Sequence, residues 1–352
     1  METLWFCLVS SMLAAYVVLD GFDIGAGIVS RSVARTESER RMVLRSIGPV
    51  WDGNEVWLLA AGGTLYFAFP ELYASSFSGF YLPLMMVLWL LIVRGISIEF
   101  RNHIDDAVWK PFWDGGFVLS SSLLAVFLGA ALGNVIRGVP LETDGRFFLP
   151  LWTDFRVGGE LGILDWYTVL VGVLAFLALA QHGALWVALK TEDAIEGRAR
   201  HVASWAWFGV AVMTVVVTVF TMRIQPQVSA NLSGYPWGYV FPALAIAGLV
   251  AIRVGRVLKR NRAAFLGSCA YILGMLSSAA FGIYPYVLPA RPEPSLGLTI
   301  QSTATSDYGL RVGLAWWIPG MLLVLGYFVF IYRHFAGKAR LEGEGYYWAE
   351  PW

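Results

Sequence analysis

Apolar runs of bilayer length, placed one after another along the chain, constrain this sequence more than any other feature. A helix needs about 20 mostly apolar residues to cross the hydrocarbon core of a membrane. Eight runs meet that requirement, at 4–28, 75–98, 114–136, 162–189, 204–224, 238–258, 264–288 and 311–333. Charged residues make up only 14% of the chain, against about 25% in soluble proteins. The sequence therefore predicts an all-α, polytopic membrane protein.

A ninth candidate, residues 47–69, begins with acidic residues and then becomes apolar. With nine helices, 19 of the 25 Lys and Arg residues fall on the side of the odd-numbered connections and the C-terminus, and six fall on the other. Treating 47–69 as a loop reduces the split to 14 against 11. Because basic residues accumulate on the cytoplasmic side of membrane proteins, we expect nine transmembrane helices. The N-terminus is then outside and the C-terminus cytoplasmic.

We expect these helices to form one membrane domain over residues 1–352, arranged as two four-helix bundles plus one peripheral helix. The longest polar stretch, 137–162, is too short for a separate soluble domain. Trp5 precedes Asp20 by 15 residues and Trp166 precedes His182 by 16. The similar spacing is consistent with an internal duplication, in which 162–288 repeats 1–136, and such repeats are common in membrane proteins. Chance similarity between apolar helices explains the spacing equally well.

Several classes of protein are disfavoured by simple features of the chain. The formal net charge is zero, which argues against nucleic acid as a partner. Cys7 and Cys269 are far apart and show no disulfide or metal-finger spacing. The first apolar run has no basic residue before it, so we expect no cleavable signal peptide.

Ionisable residues from three successive helices are expected at a similar depth near the inner membrane surface: Asp20 and Asp23, Asp52 and Glu55, and Arg94 and Glu99. Each acid pair is spaced i, i+3, so both carboxyl groups lie on one helix face. A charge at a helix centre in a membrane costs at least about 2.5 kcal/mol, so such groups are rare without a purpose. They suit a proton relay. The alternative is that Arg94 pairs with one acid and the others are solvated at the interface.

His182 is the only histidine well inside an apolar run. A membrane histidine can be an axial haem ligand, but a lone one more often hydrogen-bonds to a neighbouring helix. A bis-histidine haem site needs a second inward-facing histidine at the same depth, and the sequence does not supply one. We therefore expect no haem ligand, with His182 as the only candidate, and no metal site.

Motifs in the first third of the chain resemble subunit II of the cytochrome bd-type quinol oxidases. They are DGFD at 20–23, IGPVWDGNEVW at 47–57 and RGISIEFR at 94–101, with a weaker continuation in QHGA at 181–184. The resemblance implies a larger partner, subunit I, that holds two b-type haems, one d-type haem and the quinol site. The complex oxidises quinol and reduces oxygen to water in a bacterial cytoplasmic membrane. Subunit II itself lacks haem ligands.

The resemblance also implies roles for individual residues. Asp52 is the principal residue for proton uptake, with Asp20 and Asp23 as nearby candidates, and Trp57 resembles the residue at the entrance of a lateral oxygen route in some members. From the clustering of ionisable residues alone, Glu55 is a further proton-transfer candidate, and Arg94 and Glu99 are the expected charge partners. Some members hold a structural quinone in this subunit, which no position here identifies, and a small accessory subunit and membrane lipid are further expected partners.

Two other functions use the same residues. A secondary transporter would use the acids to couple ions, but transporter sites usually lie near the bilayer midplane on broken helices, whereas these acids cluster toward one face. A purely structural scaffold for the haem subunit would use Asp52 to hold helices together. The sequence leaves the scaffold open.

Overall fold

Membrane-length helices dominate the structure. A computed structural model describes residues 1–339, so Arg340, one of the basic residues counted above, lies outside the described part. The helices are α1 Glu2–Val33, α2 Glu37–Ile47, α3 Trp51–Ala68, α4 Pro70–Gly79, α5 Tyr81–Phe100, α6 Trp109–Arg137, α7 Trp166–Lys190, α8 Asp193–Ile224, α9 Pro226–Gly234, α10 Val240–Val257, α11 Asn261–Ile283, α12 Ile300–Thr303 and α13 Asp307–His334. Within this part of the chain, eight helices are long and apolar enough to cross a membrane, and each overlaps one of the eight predicted runs. The predicted helical membrane class is confirmed.

Helix α3 covers the ninth candidate segment. Its 18 residues span about 27 Å at about 1.5 Å per residue, close to the ~30 Å of a bilayer's hydrocarbon core. Asp52, Asn54 and Glu55 make its beginning polar, and by composition α3 falls outside the apolar set. The segment is helical, while its crossing of the bilayer and the two-bundle arrangement stay predictions.

Two predicted helix boundaries are wrong. The run 75–98 combines the end of α4 with most of α5, because the backbone leaves the helical conformation at Phe80. The run 264–288 stops being helical at Ile283, since the next residue, Tyr284, precedes a proline, and that position disfavours helical backbone. The chain then forms strand β1, Tyr286–Leu288, which pairs antiparallel with β2, Leu298–Thr299.

Helix α7 is the central helix of the domain. It packs against α1, α6, α8 and α11, and 61% of its most apolar window is buried, whereas none of the corresponding window of α13 is. Helices α1 and α7 touch at Gly25 and Gly183. A Cβ on Gly25 would lie 1.9 Å from the Leu179 carbonyl oxygen, and one on Gly183 would lie 2.0 Å from the Gly25 carbonyl carbon. The two glycines allow a backbone-to-backbone contact that any side chain would prevent.

A buried ion pair fixes the end of α6 to the start of α7. Arg137 pairs with Asp165, and it donates to the Gly162 carbonyl oxygen at 3.0 Å and to Asn134 Oδ1 at 2.7 Å. Asp165 also caps α7 by accepting from the backbone N–H of Tyr167. Sequence reasoning assigned Arg137 to a polar connection, so this structural contact was not predicted.

Glu39 connects three elements at the other edge of the domain. It completes a capping box with Thr36 at the start of α2, and its Oε1 lies 2.5 Å from Arg198 Nη2 on α8. Hydrogen bonding from Arg198, followed by that from the backbone N–H of Arg35, lowers the pKa of Glu39 to about 2.

We expect the variant Glu39→Gln to unfold at a lower temperature than the wild type near neutral pH. Because folding lowers the Glu39 pKa from 4.5 to about 2, the stabilisation is complete above pH 4.5 and is lost as the pH falls toward 2. A loss of roughly 1 kcal/mol corresponds to about 2–4 °C in Tm. Thermal unfolding at pH 7 and pH 3 measures this, with the exposed Glu192→Gln as control. An equal difference at both pH values would contradict the linkage.

Candidate functional site

A buried acid cluster, formed by Asp20, Asp23, Glu55 and Arg94, lies where α1, α3 and α5 meet. Asp20 and Asp23 are completely buried, and their i, i+3 spacing places both on one face of α1. Arg94 reaches the cluster from α5 and is also completely buried. Glu55 comes from the start of α3, which packs along α1. The structure thus brings together four of the six predicted ionisable residues.

Arg94 bridges two carboxyl groups from two different helices. Its Nη2 atom lies 2.7 Å from Asp20 Oδ1 and 2.7 Å from Glu55 Oε2. The Asp20 side chain is fully buried, whereas 25% of the Glu55 side chain is exposed. Glu55 is therefore the member of the cluster that connects the buried ion pair with the protein surface.

Asp23 is held by two residues that sequence reasoning did not assign to the site. Asn54 Nδ2 donates to Asp23 Oδ2 at 2.7 Å, and the Tyr332 hydroxyl donates to Asn54 Oδ1 at 2.9 Å. Asn54 lies inside the motif at 47–57 and next to Glu55, so the sequence could have identified it as a residue of the site. Tyr332 lies on α13, 278 residues from Asn54, and nothing local in the sequence marks it.

Several polar atoms of the cluster have no hydrogen-bond partner within residues 1–339. They are both Asp20 carboxyl oxygens, Asp23 Oδ1, and Arg94 Nε and Nη1. The Asp20 carboxylate instead forms an ion pair, with its Oδ1 2.7 Å from Arg94 Nη2. Since more than about 90% of buried polar groups in proteins are hydrogen-bonded, so many unsatisfied atoms in one place distinguish this site from the satisfied Arg137–Asp165 pair.

The other two predicted site residues lie outside the cluster. Asp52 is exposed on the surface of α3, and none of residues 1–339 forms a hydrogen bond or ion pair with its carboxylate. Glu99 is exposed near the end of α5 and does not contact Arg94. Within residues 1–339, its carboxylate makes no hydrogen bond or ion pair, and His103 Nδ1 lies 2.9 Å from its backbone carbonyl oxygen. Asp52 therefore faces outward from this chain, and Glu99 is not a partner of Arg94.

His182 is fixed by contacts to both of its ring nitrogens. Nδ1 lies 2.7 Å from Ser268 Oγ and Nε2 lies 2.9 Å from the Val18 carbonyl oxygen. The ring also stacks on Phe265, with centroids 4.9 Å apart. A ring held in this way joins α7 to α1 and α11 and has no nitrogen directed at a haem iron. Within the described residues, no group of three or more His, Cys, Asp or Glu could hold a metal ion.

Comparison with known proteins identifies the family. The sequence model described as "Cytochrome bd terminal oxidase subunit II" matches residues 1–335. The chain belongs to this family. A probable cytochrome oxidase subunit 2 of Haemophilus influenzae is 30% identical over 95% of this chain and 94% of its own length. The cytochrome bd-I ubiquinol oxidase subunit 2 of Escherichia coli is 28% identical over 96% of this chain and 95% of its own length.

A solved structure shares the fold of this subunit II. The bd oxidase of Geobacillus thermodenitrificans contains a chain that superposes with a TM-score of 0.74 at 19% identity, covering 95% of this chain and 98% of the other. The family resemblance drawn from the motifs at 20–23, 47–57 and 94–101 is thereby confirmed. The chain is a subunit of a terminal oxidase.

Trp57 of this subunit II is part of an aromatic contact between α3 and α13. Its ring is buried and lies 5.6 Å from the Phe328 ring, centroid to centroid. Met12 and Tyr16 of α1 belong to the same apolar group. Trp57 is therefore a packing residue between helices of this subunit, and its assignment to an oxygen route stays a prediction.

Proposed function

We propose that this subunit II forms a quinol oxidase with a larger, haem-bearing subunit I in a bacterial cytoplasmic membrane, and that it supplies that partner with protons. The curated relatives in Escherichia coli and Bacillus subtilis are named as subunits 2 of ubiquinol oxidases. Reduction of oxygen to water consumes protons, so the complex needs a polar path through apolar surroundings. The two b-type haems and the d-type haem are assigned to subunit I.

The charge balance of the buried acid cluster carries the proposal. The cluster has three carboxyl groups and one guanidinium, that of Arg94, which pairs with Asp20 and Glu55. Asp20, Asp23 and Arg94 are all completely buried. Uncompensated buried charge is strongly unfavourable. The cluster is therefore expected to hold protons on its carboxyl groups and to exchange them, which is what a relay at membrane depth requires.

The unsatisfied polar atoms of the cluster support a hydrated path. Asp20, Asp23 and Arg94 present donor and acceptor atoms close together that make no hydrogen bond within the described chain. A polar site of this kind is where buried water binds, typically with about three hydrogen bonds per molecule. Water joining these groups would connect Asp23 and Asp20 with Glu55 and the surface.

The exposed face of α3 is the face that we assign to subunit I. Asp52 is exposed there, two residues before Asn54, which donates to the buried Asp23 carboxylate. A carboxylate is unfavourable where it faces lipid, so we assign a surface of subunit I to cover it. Asp52 would then take protons at the boundary between the subunits, and Glu55 would connect that boundary to the cluster.

The proposed transfer route sets the topology. It requires α3 to cross the bilayer as the ninth span, with the N-terminus outside and the C-terminus in the cytoplasm, so that the cluster is near the proton source. The distribution of basic residues, 19 against six, supports that orientation.

Replacing Asp52 by asparagine should lower quinol oxidase turnover at least tenfold, since a lost proton-transfer group typically costs about 10²–10⁴ in rate. The haem spectrum of the complex should be unchanged. The measurement is oxygen consumption by the purified complex, together with proton uptake in proteoliposomes. Asp193→Asn, an exposed carboxylate at the start of α8, is the matched control.

Two results would contradict this role of Asp52. Full turnover in Asp52→Asn would exclude it from the proton path. Loss of the haems in that variant would show that Asp52 acts as an assembly element, as a structural scaffold requires. The variant Glu55→Gln tests whether protons pass from Asp52 to the buried cluster through Glu55. A proton relay predicts slow turnover in this variant, even though the Arg94–Asp20 ion pair remains.

A further inference from the structure

A polar cavity of about 360 Å³ lies between the ends of α2, α7 and α13. Its lining residues come from the C-terminal ends of these helices, from the turn between α2 and α3 and from the segment after α13: Arg45, Ser46, Pro49, Val50, Trp186, Lys190, Tyr332, His334, Phe335 and 336–339. We call it the basic cavity. Its volume is at the low end of ligand pockets, roughly 300–1,000 Å³, which suits a small polar group.

Among residues 1–339, the lining of the basic cavity carries positive charge and no carboxylate. Arg45, Lys190 and Lys338 contribute cations, and His334 is a fourth basic side chain. Neither aspartate nor glutamate is among the lining residues. Lys338 has an acidic neighbour outside the lining, with its Nζ 3.6 Å from Glu196 Oε2. The electrostatic character of the cavity therefore favours an anion.

Lys190 has no counter-ion among the residues that the structure describes. Its Nζ donates to the Phe335 carbonyl oxygen at 2.6 Å and lies 5.1 Å from the centre of the Trp186 ring. No carboxylate within residues 1–339 comes within 4.0 Å of it, although the side chain is half-buried. An ammonium group has three donors, so Lys190 can bind an anion without giving up its contact to Phe335.

The position of the basic cavity indicates the source of the anion. It opens at the level where two membrane-length helices, α7 and α13, end. Trp186, Val50 and Phe335 form an apolar wall beside the basic groups. Basic pockets between membrane helices at this depth bind the headgroups of anionic lipids. We infer that the basic cavity binds the phosphate group of an anionic phospholipid, with Lys190 as its principal contact.

The test uses the purified, delipidated oxidase complex and native mass spectrometry. Phosphatidylglycerol is titrated into the wild type and into Lys190→Gln, with zwitterionic phosphatidylcholine of the same chain length as the comparison lipid. Loss of one charge-assisted contact should weaken phosphatidylglycerol binding about tenfold. Lys190→Arg keeps the charge and should retain binding. The haem spectrum of each variant shows that the complex has assembled.

A matched control is available on the same edge of the domain. Lys259 is exposed in the turn between α10 and α11, next to Asn261, whose Nδ2 donates to the Ala188 carbonyl oxygen of α7 at 2.9 Å. Lys259→Gln removes the same charge without touching the cavity and should bind phosphatidylglycerol as the wild type does.

Calorimetry with inorganic phosphate distinguishes a lipid from a soluble source. If Lys190→Gln weakens the binding of inorganic phosphate but not that of phosphatidylglycerol, the cavity is an anion site for soluble phosphate and not for a lipid. If neither ligand depends on Lys190, or if phosphatidylcholine binds as tightly as phosphatidylglycerol, the inference is overturned.

Discussion

Replacing Arg94 by glutamine is expected to destabilise the membrane domain by about 3–5 kcal/mol, because removal of one partner leaves buried charge without compensation. The Arg94 guanidinium lies 2.7 Å from carboxyl oxygens of both Asp20 and Glu55. Glutamine has similar length and can hydrogen-bond, but it cannot balance either carboxylate. The yield of haem-containing complex in native gels, measured with its apparent Tm, reports the loss.

A double variant distinguishes the effect of the lost charge at Arg94 from the effect of altered packing. Asp20→Asn combined with Arg94→Gln removes one negative and one positive charge, so it should recover much of the yield while turnover stays low. Arg146→Gln is the control for the loss of an arginine, since that side chain is 80% exposed. If Arg94→Gln assembled and turned over normally, the ion bridge would have no part in the site.

Replacing Gly25 by alanine should have a comparably large effect on assembly. The new Cβ would lie 1.9 Å from the Leu179 carbonyl oxygen and 2.7 Å from the Gly183 backbone nitrogen. Backbone atoms of a central helix cannot move as a side chain can, so α1 and α7 must separate. We expect a cost of at least about 3 kcal/mol, the upper part of the usual range for overpacking.

The consequence should extend to the acid cluster, because α1 carries both Asp20 and Asp23. Gly25→Ala should therefore lower both the yield of complex and the turnover of the fraction that assembles. Gly197→Ala, at an exposed position of α8 with no atom within 4 Å of the added Cβ, should leave both unchanged. Normal yield and Tm in Gly25→Ala would show that the helix crossing is looser than the structure indicates.

The sequence predicted the elements of this protein well where the signal was local. Apolar runs of bilayer length gave the eight long helices, since burial in lipid imposes both length and composition. The i, i+3 spacing of Asp20 and Asp23 placed both on one face, and the structure buries both. The motif at 47–57 indicated the family, which the match over residues 1–335 confirms. Helix ends were less well predicted, because the break at Phe80 and the stop at Ile283 leave hydropathy unchanged.

The sequence grouped six ionisable residues by depth, and only the structure separated them. Depth follows from position along a helix, but contact also requires the correct rotation about the helix axis. Asp52 and Asn54 are two residues apart on α3, yet Asn54 is buried against Asp23 while Asp52 points outward. These helices are apolar on most sides, so hydropathy gives little information about that rotation.

The amino-acid sequence by itself determined that this chain is a membrane protein, how many long apolar helices it forms, and which family it belongs to. Tertiary packing decided that Arg94 joins Asp20 to Glu55, that Tyr332 reaches Asn54 from 278 residues away, and that Lys190 lines a basic cavity. The physical reason is the range of the interactions. Lipid acts on each segment independently, whereas ion pairs and hydrogen bonds act over a few ångströms between helices whose mutual rotation is set by contacts such as Gly25 with Gly183.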